Sequence, residues 1–370
     1  MSLINFNSEQ KLIQNEVKKF AQAEVDPVSA EIDKEGIFPT RIVKKLSDLG
    51  LLSLIISEKY GGSELDTTSL CIAIEELSRV CASIGTILVV NNCLVAFPII
   101  KYGTQSQKDL YLSKLTKGAI GAYVSDLEID LADKKIEIKA ASENYIISGK
   151  RDFVLSGEAA SFFMLPISLT KGKALYLLPK DTPGINVIKP RILGMKTAGF
   201  VNLEFKETKL NKDSCLIPED KGENWLQIIQ DYSNIGFSAV ALGIAEASYE
   251  ASIKYSKGRI QFGRPICKFP MVQEMLVDMK IKIDTARLLV YDAAAKFDKG
   301  RDYSLACKIA RLYSTDAAVF SGTKAIQVYG GYGYTKDYPV ERYLRDAKVL
   351  QVLGKTSHDI KSIIAKELLE

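Results

Sequence analysis

The spacing of apolar residues changes period twice along this chain. That change limits the folds open to it more than any other feature. Up to about residue 118 the pattern is helical. Asn7 and Gln10 make a capping-box pair ahead of Leu12, Ile13, Val17, Phe20 and Val25, a stripe that Pro27 is expected to interrupt. A second helix is expected over about 39–49, stopped by Gly50. After a turn at 58–62, Thr67 or Thr68 is the expected cap of a long helix through Ile72, Leu77 and Val80, and Thr104 with Gln107 makes another capping box. From about 119 to 215 the period is two: Ile136, Ile138 and Ala140 alternate with charges, and 162–167, 174–178, 185–188 and 201–205 read as strands. From Glu223 onward the pattern is helical again over 225–257, 271–297 and 303–328, broken by Gly330, Gly331 and Gly333. The stretch 225–257 is apolar on most of its surface, which places it inside a bundle and leads us to expect contacts between chains there. The expected architecture is α+β in three parts: an N-terminal α-helical domain over 1–118, a middle antiparallel β-domain over 119–218 and a C-terminal helical bundle over 219–370.

Composition removes several function classes. With 47% hydrophobic and 25% charged residues the chain is an ordinary globular one, neither disordered nor fibrous. A net charge of +4 over 370 residues is too small and too evenly spread to argue for nucleic acid. The most apolar stretch, 84–100, is interrupted by Asn91, Asn92 and Pro98, short of the roughly 20 apolar residues a span needs. It is expected to be a buried helix ending at Pro98, with no membrane partner. No basic-then-apolar leader precedes Asn5, Asn7, Ser8 and Glu9, so a cytoplasmic location is expected. The six cysteines (71, 81, 93, 215, 267 and 307) show no CxxC spacing, and four of them, with apolar neighbours or in helical runs, suit reduced core thiols of a cytoplasmic protein. A single histidine, His358, argues against His-based metal sites and a Ser-His-Asp triad.

Several motifs occur in a fixed order. Leu49-Gly50-Leu51-Leu52 precedes Glu58-Lys59-Tyr60-Gly61-Gly62, and Glu75-Glu76-Leu77-Ser78-Arg79 precedes Cys81-Ala82-Ser83. Later come Arg259-Ile260-Gln261-Phe262-Gly263, Gln327-Val328-Tyr329-Gly330-Gly331, Tyr338-Pro339-Val340-Glu341-Arg342 and Arg345-Asp346-Ala347-Lys348. In that order, across the whole length, the chain resembles the acyl-CoA dehydrogenases. The resemblance implies a helical domain, a β-barrel-like middle domain and a four-helix bundle, with FAD between them in a dimer or tetramer. It implies α,β-dehydrogenation of an acyl thioester, carried by CoA or an acyl-carrier protein. A glutamate removes the α-proton, hydride leaves for flavin N5, and electrons pass to an electron-transfer flavoprotein.

In the family each FAD is held by two chains. The half supplied to the neighbour is present: Arg259 and Phe262 of the RxxFG motif, and Gln327, Gly330 and Gly331 of QxxGG. Arginine is a fixed cationic fork for a pyrophosphate, and glycine lets backbone N–H groups approach phosphate oxygens. By the same resemblance Thr356 and Phe153 belong to the flavin site, Phe153 offering an aromatic face. The other half departs from the pattern. Where the family has Thr-Glu-Pro and Gly-Ser-Asp, this chain has neither glycine nor proline between Ala122 and Ser148. Ser125 or Asp126 stands for the threonine, and Glu128, Asp130 and Asp133 put negative charge where a pyrophosphate would lie. Leu155 occupies the place of a hydroxyl residue that hydrogen-bonds N5.

The base is also missing. By resemblance it should precede Gly-Thr-Ser, and Gly354 stands there; the family's alternative place, on the first bundle helix, holds Ser233. Neither residue can take a proton as a carboxylate does. Gly354 keeps the N–H that polarises a thioester oxygen. Asp231 and His358 are the substitutes to consider, His358 being four residues beyond Gly354 and on its face if that segment is helical. Three functions remain open: an active dehydrogenase with a relocated base, a degenerate subunit that completes a partner's FAD site in a hetero-oligomer, and a flavin monooxygenase on the same fold. Retention of the partner-directed residues and loss of the chain's own favour the second.

Overall fold

The computed structural model describes residues 4–124, 136–141, 144–222 and 224–369. Ser125, Asp126, Glu128, Asp130 and Asp133 lie outside the described residues. The N-terminal part contains α1 (Ser8–Phe20), α2 (Asp26–Glu35), α3 (Thr40–Asp48), α4 (Thr67–Ser78), α5 (Ala82–Val89), α6 (Phe97–Tyr102) and α7 (Gln105–Thr116). Both capping boxes form. The Gln10 amide donates to Asn7 Oδ1 at 2.8 Å, and the Gln107 amide to Thr104 Oγ1 at 3.2 Å.

Three local expectations are corrected. Asp66, not Thr67 or Thr68, caps α4, accepting from the Ser69 amide at 2.7 Å. Thr67 instead binds Asp298 through its amide and hydroxyl. Pro27 and Pro98 end no helix. Each sits in the first turn of a continuing helix, directly after a π-turn segment (Ala21–Val25 and Val90–Ala96). A proline ring clashes with the carbonyl four residues back in a tight α-ladder. Wide turns, in which the Phe97 amide reaches Asn92 O, shift that register and admit the ring. The result is one long helix, Ala82–Tyr102, the only one among the described residues apolar and long enough to cross a membrane. With 89% of its most apolar window buried, it is a core helix of this fold.

The middle part contains β1 (Ile120–Tyr123), β2 (Glu137–Ala141), β3 (Asn144–Val154), β4 (Ala160–Ser168), β5 (Lys173–Pro179), β6 (Ile185–Ile188), β7 (Val201–Leu210) and β8 (Cys215–Ile217). They form two sheets, ordered β1-β4-β5-β8 and β2-β3-β7-β6. Phe163, Leu165, Leu203 and Phe205 fill the core of this part. All pairs are antiparallel except β1 with β4, an exception the alternation of side chains does not reveal. Strand β1 lies against the core helix: the Gly121 amide donates to Asn91 Oδ1 at 3.1 Å, and a Cβ at Gly121 would sit 2.5 Å from Val95 Cγ1.

The C-terminal part contains α8 (Trp225–Gly258), a two-residue ladder of β9 (Ile260–Gln261) with β10 (Arg264–Pro265), then α9 (Pro270–Asp298), α10 (Tyr303–Tyr329), α11 (Val340–Leu350) and α12 (Ser357–Leu369). The small hairpin interrupts a region expected to be wholly helical. Helix α8 packs on α4 and α5 of the N-terminal part and on α9, α10 and α11 of the bundle. Much of its apolar surface is therefore covered within one chain. A buried charge cluster locks α4 to the bundle: Arg287 donates to Glu75 at 2.6 Å and Glu246 at 3.1 Å, and Tyr291 to Glu75 at 2.7 Å.

Helix α11 joins all three parts. Arg345 forks onto Asp33 of α2 (2.7 and 3.2 Å) and Glu341 (2.6 and 2.9 Å), and also reaches the Leu193 carbonyl at 3.0 Å. Asp346 accepts from the Met195 amide at 2.6 Å. Between them Gly194 is required, because a Cβ there would lie 2.3 Å from the Arg345 carbonyl oxygen. Burial pushes the Asp346 carboxyl up from 3.8 to about 6. The folded chain therefore holds that proton more tightly than the unfolded one. This group's contribution to stability is full below about pH 4 and declines as the pH rises through 6. Asp346→Asn keeps an acceptor for Met195 and removes the titration. We expect thermal unfolding of the variant to lose less stability between pH 4 and pH 6 than the parent chain loses.

Candidate functional site

Two concavities contain the residues singled out by the sequence. The larger, about 850 Å³, lies between the β-domain and the bundle and is lined by Tyr123, Phe153, Leu155, Ser233, Leu353 and Gly354 among others. The smaller, about 470 Å³, is lined by Arg259, Gln327, Gly330, Gly331, Tyr255 and Tyr332 among others. No residue lines both. Arg259, Gln327, Gly330 and Gly331 therefore meet in a cleft separate from the Gly354 cavity.

In the smaller cleft, Arg259 is exposed and pairs with no described carboxylate; its guanidinium lies 5.6 Å over the Tyr332 ring. Gly330 ends α10 at φ 60°, ψ −136°, a conformation closed to side-chain-bearing residues, and neither Gly330 nor Gly331 has an atom in the way of a Cβ. Phe262 is not brought into the cleft wall: it projects from the β9–β10 turn at φ 49°, 92% exposed. Ile260, Met271, Val277, Ile281 and Leu288 are also exposed apolar residues, the last three on one face of α9.

In the larger cavity the Gly354 turn is shaped by α10. Arg311 is buried and donates through Nη2 to the carbonyls of Leu350 (2.7 Å) and Leu353 (3.2 Å). Gly354 itself has φ 79° and open space around a would-be Cβ. It lies before α12 rather than within it, so His358, exposed in the first turn of α12, does not share its face and does not line the cavity. Asp231 is buried elsewhere: it accepts from Gln227 and Ser304, both at 2.7 Å, with Lys308 at 3.9 Å, and burial raises its pKa. These partners make it a packing group of α8 and α10. The Ser233 hydroxyl lines the cavity but donates to the Gln230 carbonyl at 2.8 Å. Thr356 caps α12 through a reciprocal pair with Asp359, whose carboxyl is held below the usual range by the Thr356 hydroxyl and amide.

Phe153 stands on the cavity wall at φ 58°, with its amide donating to Asn202 Oδ1 at 3.1 Å. Three residues on, Ser156 is also left-handed (φ 59°) and wholly buried, with a hydroxyl lacking a partner. Of these two strained residues, at the end of β3 and just after it, only Phe153 lines the cavity. Sequence reasoning missed this strain, the Arg311 clamp and the presence of Lys355 in the lining. Only Lys355 left a signal, as the neighbour of Gly354.

Family models match two stretches of the chain: acyl-CoA dehydrogenase N-terminal domain over 7–119 and acyl-CoA dehydrogenase C-terminal domain over 225–369. The chain belongs to the acyl-CoA dehydrogenase family. It is 36% identical over 374 residues to the short-chain-specific acyl-CoA dehydrogenase of Clostridium acetobutylicum, covering 98% of this chain and 99% of that one. The butyryl-CoA dehydrogenase structure from Megasphaera elsdenii superposes with a TM-score of 0.93 at 31% identity, over 99% of this chain and 100% of that one. A chain from the structure described as the electron transferring flavoprotein of Acidaminococcus fermentans gives 0.94 at 34% identity, over the full length of both.

The family is FAD-dependent. The smaller cleft fits its part of such a group, with an unpaired arginine and a glycine edge open to phosphate oxygens. The larger cavity offers flat apolar walls from Tyr123, Phe153 and Phe237, but Leu155 presents no donor to a flavin ring. Gly330 and Gly331 separate backbone demand from ligand demand. Gly330→Ala should lower unfolding free energy by about 1–3 kcal/mol through its backbone conformation alone. Gly331→Ala, with an ordinary backbone and open space, should be near neutral; urea unfolding of both variants checks this.

Proposed function

We propose that this chain is a base-less acyl-CoA dehydrogenase subunit that completes the FAD site of a catalytically competent neighbour. The observation that carries this reading is the make-up of the Gly354 cavity. Among its described lining residues there is no aspartate or glutamate. A general base must come within about 3 Å of the proton it removes. Asp231 and His358 do not line the cavity, and the Ser233 hydroxyl is already engaged. The cleft formed by Arg259, Gln327, Gly330 and Gly331 keeps its full set of phosphate-directed groups.

Arg259 would hold the pyrophosphate of a neighbour's FAD, and Gln327 with the glycine amides would direct polar groups at the same part. Bound FAD supplies the hydride acceptor for dehydrogenation of an acyl thioester. This chain's contribution to that chemistry is positioning. The exposed apolar face of α9 and the projecting Phe262 support a contact with another acyl-CoA dehydrogenase-like chain. The reaction's electrons would then leave through an electron-transfer flavoprotein. No described residue favours the relocated-base or monooxygenase readings.

Co-expression with a chain carrying Thr-Glu-Pro, Gly-Ser-Asp and Glu-Gly-Thr-Ser tests the proposal. The complex should retain FAD, and Arg259→Ala in this chain should weaken that retention about tenfold to a hundredfold, the value of one charge-assisted contact. Gly354→Glu in the chain alone should raise dehydrogenation less than about tenfold, although a positioned base is typically worth about 10²–10⁴. At φ 79° the new side chain is strained, and Leu155 still presents no hydroxyl to the flavin. Full FAD retention by the Arg259→Ala complex, or a large gain from Gly354→Glu, would overturn the assignment.

A further inference from the structure

The cavity behind Gly354 has lost its carboxylate but has not collapsed, and its charge is reversed. The charged residues of its lining are all cations: Arg191, Lys308, Lys348 and Lys355. Two of these have partners in the protein. Lys308 is buried and bound to Glu367 at 2.7 Å and Ser304 at 2.6 Å, and Lys348 donates to Gln351 at 2.9 Å. Arg191 is exposed at the rim. Lys355 is different: it is half-buried and makes no hydrogen bond or ion pair with a described residue. Loss of water, with Lys173 and Lys308 nearby, holds its pKa below that of an ordinary lysine.

A second, independent cation lies beneath the same turn. Arg311 is 2% exposed, and its Nη1 has no partner among the described residues. Its Nη2 holds the Leu350 and Leu353 carbonyls, and the guanidinium lies 4.9 Å over the Phe237 ring, which lines the cavity. Burial lowers its pKa to about 9, which leaves it charged at neutral pH. A buried cation without a counter-charge is costly in an apolar setting. Arg311 is such a cation, and the half-buried Lys355 on the same turn feels the charges of Asp359 and Asp231 but forms an ion pair with neither.

We propose that this cavity binds an apolar monocarboxylate, with the ligand's carboxylate paired to Lys355 where the family carries its own carboxylate side chain. The hydrocarbon part lies against Phe153, Leu155, Phe237 and Leu353. Arg311 acts from beneath, as a fixed positive charge that favours an anion on the turn without touching it. A volume of about 850 Å³ is ample for a medium-chain acid. The inference rests on the reading that no proton-abstracting carboxylate stands in this cavity.

Titration calorimetry on the full chain near pH 7.5 tests it with three probes: octanoate, its neutral analogue octanamide, and octanoyl-CoA. Octanoate should bind at least tenfold more tightly than octanamide. Lys355→Met should weaken octanoate at least tenfold and leave octanamide unchanged, while Lys355→Arg keeps octanoate binding and shows that the turn still folds. Equal affinity for octanoate and octanamide would overturn the proposal, as would octanoate binding that survives Lys355→Met. Binding of octanoyl-CoA without octanoate would overturn it in favour of a thioester site. These readouts involve no flavin reduction. Failure here therefore differs from failure of the proposed function, which would show as turnover of acyl-CoA by this chain alone.

Discussion

The fold depends on two adjacent side chains of α11. Arg345 and Asp346 point to different parts of the chain and hold both. Arg345 pairs with Asp33 in the N-terminal helices, and Asp346 takes the Met195 amide of the β-domain. Gly194 lets the β-domain loop approach so closely that backbone meets backbone. Because α11 is fixed at both contacts, the turn that follows it is fixed as well. Arg311 then holds that turn by its carbonyls, and Gly354 faces a cavity walled by the β-domain on one side and by α8 on the other. The cavity is a consequence of this docking rather than an independent feature.

The scaffold is that of the family, with a TM-score of 0.93 to one of its members, while the residues of the turn differ from the family pattern. Gly354 replaces a side chain that the family resemblance assigns as the base, and Lys355 brings a positive charge to the same turn. With no carboxylate among the described lining residues, Lys355 makes no ion pair there, and the buried Arg311 beneath the turn has an unpartnered Nη1. The surface cleft around Arg259 shows no such change. Its arginine is unpaired because it is exposed, which costs little, and it is available to a phosphate. On the proposed reading, the two clefts of this chain answer to different demands.

Much of this was legible in the sequence where the cause is local. Capping boxes at Asn7 and Thr104 depend on residues three apart, and the strand alternation of the middle part depends on neighbours two apart. The empty base position was readable because motif order places Gly354. What could not be read depends on contacts distant in sequence. Pro98 lies inside a helix because a π-turn shifts the ladder before it. Much of the apolar surface of α8 is covered by α4, α5 and α10 of the same chain, neighbours that its composition does not identify. The parallel pairing of β1 with β4 joins residues distant in sequence, Ile120 with Ala160. Arg311 looks like any helical arginine until the carbonyls of Leu350 and Leu353 are placed against it.

The central claim is that the Gly354 cavity contains no group able to remove a thioester α-proton. Anaerobic mixing of the FAD-reconstituted chain with butyryl-CoA, octanoyl-CoA and palmitoyl-CoA, followed by the flavin absorbance, tests that most directly. The account predicts no bleaching, or bleaching about 10²–10⁴ slower than by a base-bearing family member under the same conditions. Rapid bleaching by the chain alone would contradict it.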